Sequence, residues 1–548
     1  MTDDEESSSL ATALSGGLLV TASKFVALGF GFFTQVAMAR LLTEAAYGDV
    51  VLAFSVVNMA VLVATLGMDD GVMREFPHHE EVAAKARGVV RSSLAMAAVT
   101  GLVAGVAVFL LAPTIAELAF HDPSLAGLLR IAAVGVPFSV LGSVAVSLAR
   151  GARDARVHAY VNQLFRPAVR FGLVAALVAA GAQAAGAVAG QTAAIALSGV
   201  ASLWFATRAL PDFEVEPTAM YRSVLAFSLP LALFQGMGFL VSNVDIYMLG
   251  YFGSEAGIGA YNIAFQLRNL FTAVLATVGF LLPPVLTRLE EKGERDEMRR
   301  TYQVMTKWMV VAAVPLLVAL FGFPKLVIGL AFGDAYRDGA TALRILVVGN
   351  FFAILFGLNA RSLVGLGANR VVNYVLVAQT AVNVALNYLF VPTYGIAGAA
   401  VASTIAVVVS DVLGSAVLYD RFGVHPFTRT TFRPATWSLS VGLLAAGATV
   451  AAGFPVAAGF SAATGVIASE PVTVALPVVG PVVTSVPALA GGTATALAYP
   501  AAVVAALEPE DALLVSELEA ATGADLSAVE RAVRAAADDP SVIIQRLK

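Results

Sequence analysis

Lys24 lies near the centre of a long apolar run, residues 12–39, about 13 residues from one end and 15 from the other. At a helical rise of 1.5 Å per residue both ends are roughly 20 Å away. The ammonium therefore cannot reach water along its own stem, as lysines at helix ends do. Against hydrocarbon it would cost at least ~2.5–3.5 kcal/mol, so it needs an internal partner or a water-filled space. Two further charges sit in similar runs: Arg268, about eleven residues into run 257–286, and Asp245, five or six residues from the end of run 223–250. If these runs are antiparallel helices joined by a short turn, their Cα depths differ by about 8 Å. That geometry reads either as a buried ion pair locking two helices or as a carboxylate orienting a guanidinium toward an anion. Asp411, in the inner third of run 395–419, reads as an interface cap. The chemistry these residues offer is ion pairing and anion binding.

Bond-making chemistry finds no comparable support. The five histidines, His78, His79, His121, His158 and His425, are expected in loops. The HHEE sequence at 78–81 reads as a solvated loop, because adjacent side chains point apart. Neither a P-loop nor a nucleophile elbow is present. Cysteine is absent, which excludes disulfides, thiol catalysis and cysteine metal sites. No enzyme activity, metal, cofactor or nucleic-acid partner is expected.

The elements that must position these charges are membrane helices. The chain has 548 residues, 58% hydrophobic and 13% charged, against roughly a quarter charged in soluble domains. Apolar runs of about 20 residues recur, the length a bilayer crossing needs. They fall at about 12–39, 47–69, 90–116, 126–149, 160–181 and 184–206, then near 223–250, 257–286, 304–332, 341–364, 370–391 and 395–419. The acidic, polar N-terminus (MTDDEESSS) does not read as a cleavable signal, so the first run is expected to stay. Lys and Arg concentrate in alternate loops, with Arg74, Lys85, Arg87 and Arg91 in one and Arg288, Lys292, Arg295, Arg299 and Arg300 in another. By the positive-inside rule the N-terminus is cytoplasmic.

The runs organise into an N-lobe over 1–206, a cytoplasmic connector over 207–222 and a C-lobe over 223–420. Accessory helices 13 and 14 follow over 421–507, with an irregular, proline-broken external segment between them. An acidic helical tail over 508–548 is placed in the cytoplasm. The acidic balance points to a high-salt source or simply to a GC-rich genome.

The two lobes repeat each other. EAAYGDVVLAF (44–54) matches EAGIGAYNIAF (255–265) at five of eleven positions, including Gly48/Gly259 and Phe54/Phe265. AAGAVAGQTAA (184–194) sits opposite IAGAAVASTIA (396–406), with Gly186/Gly398 and Thr192/Thr404 in register, and R-V-x-x-Y-V occurs at both 156–161 and 370–375. With six crossings per half, both halves start from the same side, so the repeats are parallel and related by an axis along the membrane normal. The expected fold is thus an all-α polytopic membrane protein with about 14 transmembrane helices, in which two parallel six-helix lobes are related by a pseudo-twofold. Two C-terminal helices and a short soluble helical tail complete it. Pro137, Pro167, Pro230 and Pro315 fall inside runs, where proline kinks helices. Pro230, followed by Gly236 and Gly238, marks the best bending gate. The offset puts Lys24 opposite Gln235 and Arg268 opposite Val57, so the scaffold is duplicated and its charges are not.

Three stretches resemble a known family. Arg40, Leu42, Tyr47 and Gly48 form R-x-L-x-x-x-x-Y-G after the first run. Asp245, Gly259, Tyr261 and Arg268 follow one another across the seventh and eighth. Asn383, Asn387, Pro392, Gly395, Ile396, Gly398, Ala399 and Ala400 spell N-x-x-x-N-x-x-x-x-P-x-x-G-I-x-G-A-A. Over residues 10–420 the chain resembles polysaccharide (O-antigen-type) flippases of the multidrug/oligosaccharidyl-lipid/polysaccharide exporter superfamily. The resemblance implies a V-shaped pair of lobes around a cavity and a monomer in the cell membrane. It also implies alternating access that carries a lipid-linked saccharide, on a polyprenyl or dolichyl phosphate or pyrophosphate, to the outer leaflet. Cavity cations would hold the phosphate, here Lys24 and Arg268 with Asp245, and a sodium ion or proton could drive the empty carrier back. The competing readings are a multidrug and toxin extrusion antiporter, which would want an acidic cavity where this first run holds Lys24, and a membrane-embedded polymerase or glycosyltransferase, which would need a large external loop rich in carboxylates or histidines. A non-transporting scaffold would leave Lys24 unexplained.

Overall fold

The computed structural model describes residues 23–427 except 25, 155, 211–214, 254, 280 and 281, together with 474–476 and 480–482. The expected helices 13 and 14, the tail and the first residues of run 12–39 lie outside the described residues. Packing divides the chain into two compact units, 1–259 and 260–548.

In the first unit, α1 (Val26–Leu41) leads into α2 (Glu44–Thr65). Thr43 caps α2 by accepting the Ala46 N–H at 3.3 Å, which satisfies one of the orphan donors at a helix start. Leu66 and Gly67, at φ 50° and 70°, then break the chain before α3 (Met68–His78). Glycine is required at 67 twice over, since a Cβ there would meet the backbone of Ser228 and Ala232 on α9 (Tyr221–Phe252). The connector before α9 is tied down: Thr218 donates its N–H to the Ala84 carbonyl at 2.9 Å, and Met220 donates to Ser92 Oγ at 3.1 Å. Both acceptors lie on α4 (Ala83–Phe120). By its packing α9 therefore belongs with α2, α3 and α4.

The rest of the first unit is α5 (Leu125–Ala133), α6 (Gly135–Gly151), a π-helical turn at His158–Phe165, α7 (Arg166–Leu177) and α8 (Gln183–Ala209). Its packing runs on small residues, as expected where lipid removes the hydrophobic drive between helices. Gly186 and Gly190, one turn apart on α8, sit against the α7 backbone at Leu177 and at Leu173 and Val174. Gly199 of α8 likewise meets Phe138 of α6. Ala145, Val146, Ala149, Val157, Val161 and Ala206 close a fully buried cluster between α6, the π turn and α8.

In the second unit, α10 (Glu255–Arg268, which begins in the first unit), α11 (Leu270–Gly279) and α12 (Leu282–Lys292) occupy the run read as one eighth helix. The run is irregular at Asn269, whose N–H is shared between the Phe265 and Gln266 carbonyls. Then come α13 (Arg295–Leu317), a π turn at Val318–Gly322, α14 (Pro324–Ala331), α15 (Ala340–Leu355), α16 (Asn359–Gly365) and α17 (Asn369–Phe422). A three-residue antiparallel pair, β1 (Val474–Leu476) and β2 (Gly480–Val482), is the exception to helix among the described residues. It falls in the proline-broken segment, where β-branched residues favour extended chain.

Two continuous helical stretches are 52 and 54 residues long, His158–Ala209 and Asn369–Phe422. At 1.5 Å per residue each would measure about 80 Å, far beyond a hydrocarbon core of about 30 Å. Both fold back on themselves. The first breaks at Gly181 (φ 89°) and Gln183 (φ 45°, ψ −140°), the second at Gly395 (φ 54°, ψ −131°). Gln183 and Gly395 are separated by the same spacing as Gly186 and Gly398, so the sequence repeat reappears as one backbone conformation. Pro137 and Pro167 each follow an irregularity within a longer helical stretch, the break at Val134 between α5 and α6 and the π turn before α7, as expected where proline removes a helical N–H. Two histidines expected in loops, His78 and His158, are helical.

Candidate functional site

The fifth crossing carries charges that the sequence reading overlooked. Arg166 and Arg170 stand one turn apart on α7, on one helix face. Arg170 is twelve residues from His158 and twelve from Ala182, the ends of the crossing. It thus sits about 18 Å from either end, beyond snorkelling range. Both side chains are half-buried, and among the described residues neither forms an ion pair. The Arg170 Nε is buried without a hydrogen-bond partner. Arg166 and Tyr47, the latter at the start of α2, are near enough to act on Arg170 electrostatically. The depth argument made for Lys24 would have flagged Arg170, since both arginines lie within run 160–181.

The π turn feeds this face. A π turn shifts the phase of the helix, and it brings His158 Nδ1 to 3.5 Å from Asn162 Nδ2 and His158 Nε2 to 3.0 Å from Gln163 Nε2. Gln163 precedes Arg166 by three residues, so His158, Gln163, Arg166 and Arg170 form a polar stripe from the mouth of the crossing to its midpoint. Tyr47, fully buried, donates to Gln35 Oε1 on α1 at 3.1 Å. Phe30 of α1 packs on Phe171, ring centroids 6.1 Å apart, so α1 lies beside α7.

The expected site residues fall as follows. Lys24 is exposed and follows the buried Ser23 on the first helix. It lies three turns before Gln35 on the same face. Asp245 is buried, at 1% exposure, in α9. Arg268 ends α10 with its guanidinium carbon 4.1 Å from the centroid of the Phe265 ring, a cation–π contact at a helix break. Pro230 lies inside α9 and is exposed. A Cβ on Gly236 or Gly238 would meet open space, so packing demands neither glycine. Between them and Pro230, Gln235 Nε2 donates to Asp69 Oδ1 at 3.1 Å and to Asp70 Oδ2 at 2.7 Å, tying the middle of α9 to α3.

The motif residues act as fasteners. Asn383 donates to Ser403 Oγ across the α17 hairpin at 3.1 Å, and Asn387 donates to the Asn383 carbonyl at 3.0 Å. Asn359 on α16 donates to the carbonyl and Oδ1 of Asp411, both at 3.1 Å. A cavity of about 690 Å³ in the first unit is lined by α2, α4 and α9 with Val56, Val63, Val103 and Phe120. The polar end groups at its wall are satisfied, the Tyr247 hydroxyl by the Ser55 carbonyl at 2.6 Å and the Thr100 hydroxyl by the Met96 carbonyl at 2.9 Å. This cavity suits hydrocarbon. No cluster of His, Asp and Glu that could hold a metal occurs among the described residues.

A sequence-family model for polysaccharide biosynthesis proteins matches residues 37–341, more than half of the chain. The chain belongs to this family. Like other members it is a multi-pass membrane protein. The polysaccharide biosynthesis protein is 22% identical over 176 residues to the probable low-salt glycan biosynthesis flippase Agl15 of Haloferax volcanii, covering 32% of this chain and 37% of that one. It is 25% identical over 161 residues to the teichuronic acid biosynthesis protein TuaB of Bacillus subtilis, covering 28% and 31%. An uncharacterized membrane protein of Methanocaldococcus jannaschii is 24% identical over 196 residues, covering 35% and 39%. The chain thus spans less than two-fifths of the length of these curated relatives. Among solved structures it is similar to the lipid II flippase MurJ in an inward closed conformation, with TM-score 0.64 and 13% identity over 79% of this chain and 93% of that one. It is also similar to an inward-facing multidrug resistance transporter of the MATE family in the MOP superfamily, with TM-score 0.61 and 17% identity over 72% and 94%. At these identities the likeness establishes a shared all-helical membrane fold.

Proposed function

We propose that this polysaccharide biosynthesis protein is a flippase that moves a lipid-linked oligosaccharide or polysaccharide unit from the inner to the outer leaflet of the cell membrane. The observation that carries the reading is cationic charge without carboxylate compensation at mid-membrane depth, Arg166 and Arg170 in the fifth crossing, in a chain of this family. An ionised headgroup left alone in hydrocarbon costs tens of kcal/mol by idealised solvation estimates. Fixed cations along a polar face remove most of that barrier while the apolar tail stays in lipid. Lys24 and Arg268, with Asp245 as an orienting carboxylate, are the further phosphate-holding candidates, and transport proceeds by alternating access.

Bending of α9 at Pro230, Gly236 and Gly238 is the gating step, and the Gln235 bonds to Asp69 and Asp70 latch it. Glycines that packing does not demand support this, because each weakens the helix by roughly 0.5–1 kcal/mol relative to alanine. With the N-terminus and the tail cytoplasmic, an inside-negative potential favours outward movement of an anion by about 2.3 kcal/mol per charge per 100 mV. A sodium ion or proton returns the empty carrier, and the protein acts as a monomer.

The test is a deletion strain assayed for lipid-linked glycan by leaflet. Accumulation on the cytoplasmic leaflet is expected, and unchanged export would refute the reading. Lys24→Ala and Arg268→Ala should each abolish surface glycan in folded, inserted protein. Normal glycan in both would remove these two residues from the clamp.

A further inference from the structure

We infer that the apolar cavity of the first unit binds a hydrocarbon chain of a membrane lipid, and that this chain braces α9 against α2 and α4. The cavity measures about 690 Å³, within the range of small-ligand sites. Alanines keep it open: Ala60 and Ala64 line it from α2, Ala104 and Ala107 from α4. Longer side chains stand at its edge. Val63, Val99 and Val103 also line it and are 62%, 62% and 63% exposed, so the cavity opens on the lipid-facing side of these crossings.

One end is closed by Phe120 of α4, whose ring stands where a Cβ on Gly250 of α9 would go, beside Leu52 of α2. The α2 wall, from Val56 to Leu66, is about 15 Å long at helical rise. That is half of a hydrocarbon core of about 30 Å, the depth of one leaflet. No charged side chain lines the cavity, and the Tyr247 and Thr100 hydroxyls are already satisfied by carbonyls. Nothing in the wall can tell one headgroup from another, so the site recognises hydrocarbon alone. Mass action then decides the occupant, and the chains of bulk membrane lipid far outnumber those of any lipid-linked sugar.

The bound chain acts through Tyr247. This residue lines the cavity, and its hydroxyl bond to the Ser55 carbonyl ties α9 to α2. The tie of α9 to α3 through Gln235 lies about three turns away. A chain in the cavity packs on the Tyr247 ring, and its dispersion contacts hold the ring, and with it the hydroxyl, against α2. Withdrawing the chain frees the ring to turn into the cavity and releases α9 from α2 at that point. The brace makes no use of Arg166, Arg170 or the transported headgroup, so its failure leaves the flippase reading, which glycan export tests, standing.

The experiment uses the full chain in peptidiscs, stripped of lipid, with octanoyl, lauroyl and palmitoyl lysophosphatidylcholine as probes. The melting temperature is expected to rise with chain length, by about 3 °C or more for the palmitoyl probe, and equally with lysophosphatidylglycerol. Ala60→Leu with Ala104→Phe fills the cavity; this variant should melt no lower than the parent without lipid and keep less than about a third of the shift. A full shift in the filled variant overturns the site. A shift that requires a sugar-phosphate head, seen with prenyl diphosphoglucose and absent with the lysophosphatidylcholines, gives the cavity to the transported substrate and overturns the lipid assignment. Amide hydrogen exchange around Tyr247 should slow when the palmitoyl probe is added, and unchanged exchange there overturns the brace.

Should the filled variant fail to fold, the parent protein decides. In phosphatidylcholine vesicles doped with a phosphatidylcholine that carries a diazirine at the end of one chain, crosslinks should concentrate on Ala104, Ala107 and Tyr247. The exposed Leu197 and Val200 of α8 serve as the lipid-facing reference. Labelling spread evenly over both faces refutes the site.

Discussion

The hairpins at His158–Ala209 and Asn369–Phe422 are the same device built twice for different ends. Each turns through one residue of unusual conformation, Gln183 or Gly395, and each closes on a glycine three residues later, Gly186 against Leu177 and Gly398 against Phe390. Their interiors then diverge. Counted back from the turns at Gln183 and Gly395, the second hairpin has Ala378 and Val382 where the first has Arg166 and Arg170. Where the first has Phe171 and Ala175, the second has the Asn383 and Asn387 clamp. One hairpin is fastened by the hydrogen bonds of its asparagines. The other carries two arginines that form no ion pair among the described residues, and the Nε of Arg170 is buried without a hydrogen-bond partner. The two hairpins share a turn conformation and differ in the side chains they carry.

Giving the first hairpin the side chains of the second, with Arg166→Ala and Arg170→Val together, should break the distinction most visibly. Glycan export is expected to fall at least a hundredfold, about 3 kcal/mol, while membrane insertion and melting temperature hold; retained export would show that both hairpins are structural. The shared closure is tested by Gly398→Ala and Gly186→Ala. Each Cβ would press into the backbone of the facing helix of its hairpin, at Leu177 or Phe390, so both should lose about 1–3 kcal/mol of stability in reversible unfolding. Equal losses mean one geometry, and a loss in only one means that the halves close differently.

A smaller effect is expected of Asn383→Ala. It frees Ser403 from its bond and should cost about 1 kcal/mol, within the range for hydrogen bonds between membrane helices. The smallest is Gln183→Gly, which lets the first hairpin use the residue of the second. At φ 45° and ψ −140° a side chain is strained, so stability should rise by about 1 kcal/mol. A fall would mean that the glutamine side chain itself holds the turn.

Much of the scaffold was legible because its physics is local. Apolar runs set the crossings, so α2, α4, α6, α8 and α15 fall on the expected segments. The repeat set the matching hairpins, down to Gly186 and Gly398. The candidate site was less legible. Lys24, Arg268 and Asp245 stood out as single charges in apolar runs, whereas Arg166 and Arg170 sit beside Pro167 and near the polar His158–Gln163 segment, where they pass for an extension of the loop. The irregularity at Asn269 escaped notice because LRNLF reads as good helix, and sharing of one N–H between two carbonyls leaves no mark on composition.

The sequence by itself determined that this chain crosses a membrane many times, that it repeats, and that a few charges are stranded in hydrocarbon. Those follow from transfer energies that each residue carries wherever it sits. Only the tertiary structure decided which charges are compensated. It brought Asn359 onto one carboxylate oxygen of Asp411 and gave the asparagine motif to the hairpin, while among the described residues no carboxylate pairs with Arg170. Compensation depends on what another helix brings within a few ångströms, and no residue's own chemistry contains that.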